Sequence, residues 1–196
     1  MDFDKVEKFV LQRLRNELPE SIHYHKVQHT IDVINAAEKF AIAEGLSDRE
    51  LLLVKTAALF HDTGYIYSPF NNEPIGAEIA RKTLGSYGYT PEDVELIASI
   101  IMATVWPFNP KTVSEMIICD ADLGYLGGER CHEYARLLRT ELSEQGKTFS
   151  DLEWLDFEIK FLQQHQFFTA AARISCDAAQ KRWLEELLEE RKMLKK

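Results

Sequence analysis

The segment Glu50–Asp62, ELLLVKTAALFHD, constrains this chain more than any other. Read as a helix it is apolar on nearly every side, and such a helix belongs in the centre of a domain with other elements packed all round it. It nevertheless ends in His61 and Asp62. A carboxylate taken out of water without a cation or hydrogen-bond donors costs several kcal/mol, and the apolar run before it offers neither.

The remaining patterns are helical as well. Phe3, Val6, Val10, Leu14 and Leu18 make one stripe over residues 3–18, which Pro19 ends. Val27, Ile31, Ile34, Ala37 and Ala41 face inward from a helix over 26–44 that Gly45 stops. Ser47 and Glu50 make a capping box for the central helix, and Gly64 marks its end. Asn72 caps a fourth helix, and Thr90-Pro91-Glu92-Asp93 opens a fifth that runs to about Thr104. Further helices are expected over about 112–123, 129–145, 151–167 and 170–194. The last, KRWLEELLEERKMLKK, buries Trp183, Leu184, Leu187 and Leu188 and exposes a charged face. Strand-like alternation is scarce, so the fold class is all-α.

The chain has 196 residues, 45% of them hydrophobic and 28% charged, with a net charge of -9. That balance suits a globular fold and argues against non-specific nucleic-acid binding, which runs on Lys and Arg. It still permits an anionic ligand where a metal and a few basic side chains reverse the local potential. The three cysteines show no CxxC spacing and are read as small buried hydrophobes in a reducing compartment. With no signal-peptide core and no membrane-length apolar run, a cytoplasmic protein is expected.

A divalent ion would relieve the burial of His61 and Asp62, and it needs ligands from elsewhere. His29 lies in YHKVQHTIDV on the second helix and Asp122 in IICDADLGYLG on the sixth. Two imidazoles and two carboxylates suit Mn²⁺, Fe²⁺, Co²⁺, Ni²⁺ or Zn²⁺ better than Ca²⁺, and Mg²⁺ is compatible with the set. Asp120 competes with Asp122. His25, one turn before His29, makes with it a His-x3-His pair that can itself chelate a metal; the alternatives are that Tyr24 and His25 only fix the helix start, or that His25 holds a substrate phosphate.

The order His29, His61-Asp62, Asp122 resembles the HD-domain superfamily of metal-dependent phosphohydrolases. YHKVQH, HDTGYIYSPFNNEPIGAEIA, CDADLGYLG and FLQQHQFFTAAAR are similar to one predicted phosphohydrolase branch of it, over about residues 24–173. The resemblance implies a single HD-type helical domain over 1–196, with a metal-binding core at about 22–128 and C-terminal helices at about 129–196 packed on it. It implies one metal, because the positions that align with extra histidines of two-metal relatives hold Asn72 and Thr104. HDTGY in place of HDIGK weakens a cyclic-dinucleotide assignment.

From this resemblance the expected function is hydrolysis of a small phosphate ester, a nucleotide or related metabolite. The ligands are expected to be His29, His61, Asp62 and Asp122. Asp122 is preferred because the superfamily's ligand usually follows a small residue, here Ala121, and Asp120 then orients a histidine. Asp62 orients water, and Glu73 is the candidate general base, 11 positions after Asp62 in a segment that should fold back over the site. His25 and Arg173 are expected to contact the substrate phosphate. Arg81, Lys111, Arg130, Arg136 and Arg139 are further basic candidates, and His165 is read as a satisfied core histidine. The alternative is a non-catalytic sensing or scaffold module with a structural metal. The partner is a small phosphorylated substrate, with no nucleic acid and no membrane; a homodimer stays open.

Overall fold

A computed structural model describes residues 1–194. The last two residues of the expected charged C-terminal run, Lys195 and Lys196, lie outside them. The chain forms helices α1 (Phe3–Glu17), α2 (Val27–Ala43), α3 (Asp48–Phe60), α4 (Asn72–Thr83), α5 (Pro91–Met102), α6 (Val113–Asp122), α7 (Cys131–Glu144), α8 (Asp151–Gln164) and α9 (Ala170–Leu194). Short 3₁₀ turns occupy Thr63–Ile66, Leu84–Tyr87 and Gly124–Gly127. The described residues contain no strand, and the fold is all-α.

Helix α3 is the axle. It packs against α1, α2, α4, α5 and α6. Ala57, Ala58, Leu59 and Phe60, four consecutive positions, are wholly buried. Only a helix apolar on every side tolerates that, and burying Leu59 and Phe60 stabilises the fold by about 1.5–3 kcal/mol each. One contiguous apolar core runs from Val6 on α1 to Leu187 on α9, so α7–α9 share it with the first six helices. No helix among the described residues is long and apolar enough to cross a membrane.

Local chemistry sets the helix starts. Ser47 with Glu50 and Thr90 with Asp93 both form capping boxes, as do Thr112 with Glu115 and Ser150 with Glu153. Each box satisfies two backbone N–H groups that the first turn leaves without partners.

Two boundaries differ from expectation. Asn71, not Asn72, is the N-cap of α4, in a left-handed conformation with φ 55°. Asn72 is the first helical residue and turns its side chain inward. Gly64 does not end α3; it lies in the 3₁₀ turn that follows. A Cβ there would stand 2.0 Å from the Asn72 carbonyl oxygen. Glycine is therefore required because the start of α4 lies directly on the turn after His61-Asp62, and this contact folds the Glu73 segment back toward the site.

Candidate metal centre

Three segments converge on one buried point. His29 comes from the first turn of α2, His61 and Asp62 from the end of α3, and Asp122 from the last residue of α6. His29 Nε2 lies 3.2 Å from Asp62 Oδ2 and 3.1 Å from Asp122 Oδ1. His61 Nε2 lies 3.0 Å from Asp62 Oδ2 and 3.5 Å from Asp122 Oδ1. The two Nε2 atoms are 3.3 Å apart. His29, His61 and Asp122 offer ligand atoms all within 4.8 Å of one another, a group that could hold a metal ion. Ligands held at 2.0–2.2 Å from one ion are separated by about 3.0–3.5 Å in octahedral or tetrahedral arrangements, the range found here.

The hydrogen bonds agree with that use. His61 Nδ1 lies 2.8 Å from the Ala58 carbonyl oxygen. As the donor there, it turns Nε2 toward the cluster, the usual orientation of a ligating histidine. Asp62 Oδ2 is buried without a hydrogen-bond partner, even though both imidazoles stand within ion-pair distance. No Lys or Arg among the described residues pairs with Asp62 or Asp122.

The electrostatics are those of a site short of positive charge. Burial alone would lower the pKa of His29, but Asp122 and Asp62 outweigh it and raise it to about 9. His61 also rises well above its ordinary value, again against burial, chiefly through Asp62. Burial would raise the two carboxyls, yet the imidazoles hold Asp122 down to about 2 and Asp62 well below the usual carboxylate range. The carboxylates thus hold protons on the imidazoles, and a divalent cation can replace those protons.

The sequence candidates divide. Burial raises the Glu73 carboxyl, and Asp62 and Asp122 add to the shift. It lies in the first turn of α4 within the field of the cluster. His25 precedes α2, which begins at Val27. Its ring stacks on Tyr65 with centroids 4.1 Å apart, and its Nε2 lies 3.2 Å from the Tyr65 hydroxyl. Its Nδ1 pairs with Glu141.

Asp120 does not orient a histidine. Its oxygens accept from the backbone N–H groups of Phe168 and Thr169, both at 2.8 Å, and from the Thr169 hydroxyl at 2.7 Å. Residues two apart on a helix point about 200° apart, so Asp120 and Asp122 serve opposite sides of α6. Arg173 is not brought to the cluster. Its guanidinium donates to the Phe167 and Phe168 carbonyls at 3.0 and 2.7 Å, and it lines a separate depression with His165 and Gln180. His165 Nδ1 pairs with Gln180 at 3.0 Å. The Thr104 hydroxyl is spent on the Ile101 carbonyl.

One position that the structure brings forward, Glu141, carries no signal in the sequence. Glu141, buried on α7, accepts from the backbone N–H groups of His23, Tyr24 and His25 at 2.9, 2.8 and 3.2 Å. It fixes the segment that delivers His25 and His29. Of the basic candidates, Arg130 lines a cleft of about 330 Å³ that also contains His29 and Asp122. A second cavity opens on the cluster through His25 and Asp122 and runs between α7, α8 and α9.

The HD-domain family model matches residues 27–123. The fold is similar to that of YpgQ from Bacillus subtilis, solved in complex with ADP, with TM-score 0.70, 18% identity, and 97% of each chain covered. It is also similar to a predicted HD superfamily hydrolase from an uncultured Thermotogales bacterium, with TM-score 0.56, 20% identity, and 84% of this chain and 97% of that one covered. At these identities the likeness concerns the fold. The search of curated proteins gave no match.

Proposed function

Taking as premise that the chain belongs to the HD-domain superfamily, we propose that it is a metal-dependent phosphohydrolase acting on a small phosphate ester, in particular a nucleotide. The observation that carries this reading is the buried convergence of two imidazole Nε2 atoms and two carboxylates around an Asp62 oxygen with no hydrogen-bond partner. His29, His61, Asp62 and Asp122 would hold one ion of the Mn²⁺, Fe²⁺, Co²⁺, Ni²⁺, Zn²⁺ group, with Mg²⁺ compatible. When bound, such an ion supplies Lewis acidity to a phosphoryl oxygen and to water.

The chain's own groups do the rest. Asp62 accepts a hydrogen bond from the attacking water, and Glu73, raised by burial and neighbouring charge, takes its proton. The water oxygen bonds to phosphorus as the P–O ester bond breaks, and the leaving oxygen keeps the bonding pair and acquires a proton. His25, its Nδ1 held by Glu141 and its Nε2 beside the Tyr65 hydroxyl, would contact the phosphate. Arg130 takes the charge-neutralising role first expected of Arg173. ADP in the similar YpgQ structure supports a nucleotide. A scaffold with a structural ion would call for a site closed by protein, whereas His29 and Asp122 border open cavities here.

The test is a screen of phosphorylated metabolites with added Mn²⁺ or Co²⁺. Phosphate or pyrophosphate release that His61→Ala abolishes supports the reading. No release from any nucleotide by the fully metal-loaded protein contradicts it.

A further inference from the structure

The cavity that opens on the cluster through His25 and Asp122 measures about 180 Å³. For scale, an apolar protein cavity of about 150 Å³ holds benzene, so this one has the capacity for a flat heterocycle. Its walls are aromatic. Tyr24 and Tyr125 meet edge to face at 5.5 Å, and Tyr125 meets Trp183 likewise at 6.4 Å. Trp154 stacks on Phe157 at 5.3 Å, and Trp106 leans on Phe161 at 5.8 Å. Trp106 and Phe157 remain 62% and 42% exposed at the rim.

All three tryptophans of the chain line this one space. Most of its wall comes from α7, α8 and α9, beyond the residues 27–123 that the family model matches. It is therefore a feature of this chain's C-terminal helices added to the metal-bearing core.

Two polar groups in the wall have no hydrogen-bond partner among the described residues. Glu158, on α8, lies in the field of Arg139 and Glu190 but makes no hydrogen bond or ion pair with a described residue. The Trp183 indole N–H is buried, also without a partner. An acceptor and a donor in a mainly apolar cavity complement a heterocycle that bears an amino group and a ring acceptor.

We propose that this cavity binds the base of the substrate, and that Glu158 is its specificity-determining residue, accepting a hydrogen bond from the exocyclic amino group of adenine or cytosine. Guanine, uracil and thymine present a carbonyl oxygen where adenine and cytosine carry that amino group, so an ionised carboxylate meets another acceptor and rejects them. The inference rests on the nucleotide reading above and adds which part of the nucleotide enters which cavity. Burial, with Glu190 adding to it, pushes the Glu158 carboxyl up to about 7, so selectivity is measured at pH 8.5, where the group is ionised.

The experiment needs no turnover. Because every tryptophan lines the cavity, intrinsic fluorescence of the full chain reports on it directly. The four ribonucleosides, which lack phosphate, are titrated into wild type, Glu158→Leu and Glu158→Gln, with circular dichroism showing that each variant folds. The proposal expects quenching by adenosine or cytidine with affinity about 10- to 100-fold above that for guanosine and uridine, the range of one charge-assisted hydrogen bond. It expects Glu158→Leu to remove that difference, and Glu158→Gln, whose amide can also donate to a carbonyl, to reduce it. Equal binding of all four nucleosides by wild type, an unchanged ranking in Glu158→Leu, or no quenching at all overturns it. Phosphate release from base-free esters such as ribose 5-phosphate separates the two claims. Release without nucleoside discrimination leaves the hydrolase and sinks the base pocket; discrimination without release from any ester or nucleotide does the reverse.

Discussion

Replacing Glu141 with alanine should destabilise the protein far more than removing an ordinary helical acid. The carboxylate is buried at 1% exposure and accepts from three successive backbone N–H groups as well as His25 Nδ1. Losing one partner of a buried charged pair costs about 3–5 kcal/mol, and hydrogen bonds to a charged group are worth about 1.5–3 kcal/mol each. Two considerations bring the figure down. His23 and His25 are half-buried, so water can serve their N–H groups, and the variant is relieved of a buried charge. Tyr24 is buried, and its N–H has no such recourse. The expected loss is about 3 kcal/mol, which for a chain of this length lowers Tm by about 6–12 °C. Glu141→Gln keeps an acceptor and should lose about half as much. Burial opposes ionisation of Glu141, but His25 and the backbone donors hold its pKa below the ordinary value. Its stabilisation is therefore present above the unfolded carboxyl pKa and disappears as pH falls through the lower folded one. The gap between wild type and Glu141→Gln should then narrow in acid. Thermal unfolding by circular dichroism at pH 7 and pH 4 checks both statements. A Tm within 2 °C of wild type for Glu141→Ala at pH 7 would refute the account of how the segment before α2 is held.

Asp120→Ala should cost about 2–4 kcal/mol by releasing the start of α9 yet leave metal stoichiometry unchanged, whereas Asp122→Asn should lose the metal and stay folded; chemical denaturation and metal analysis of both variants separate the roles. In Gly127→Ala the new Cβ would stand 2.4 Å from the Cys176 Cβ, pushing the 3₁₀ turn from α9, so unfolding should show a loss of about 1–3 kcal/mol. Glu158 has a raised folded pKa, so its unfavourable contribution is absent below pH 4.5, grows to about pH 7 and then levels off. Allowing for its partial exposure, Glu158→Gln should be about 1–2 kcal/mol more stable than wild type at pH 8 and lose that advantage near pH 4.5, as urea denaturation at the two pH values will show.

Much of the helical frame was legible because its signals are local. The capping boxes at Ser47 and Thr90, the apolar run of α3 and the stripe on α1 each declare themselves within one or two turns. His29, His61 and Asp122 were legible only through their order and resemblance, since nothing local says that residues 32 and 61 positions apart will touch. Glu141 carried no signal: in RTELSE it looks like any exposed helical acid, and its partners lie 116 to 118 residues away. Asp120 was misread for a reason the helix itself supplies, because two positions of rotation put it on the far side of α6 from Asp122. Arg173 lies in the matched segment FLQQHQFFTAAAR, but nearness in sequence to a motif does not place a guanidinium near the cluster when two loop carbonyls claim it first. The shift from Asn72 to Asn71 at the α4 cap reflects the close approach over Gly64, a tertiary contact that composition does not encode.

The central claim is that four side chains from α2, α6 and the end of α3 form one divalent-ion site. Its most direct test is Mn²⁺ titration of the chelator-treated full chain, followed by the electron paramagnetic resonance of free ion, for wild type, His61→Ala and Asp122→Asn. The account predicts one ion per chain in wild type and its loss in both variants while circular dichroism shows them folded. Equal stoichiometry and affinity in all three proteins would contradict it.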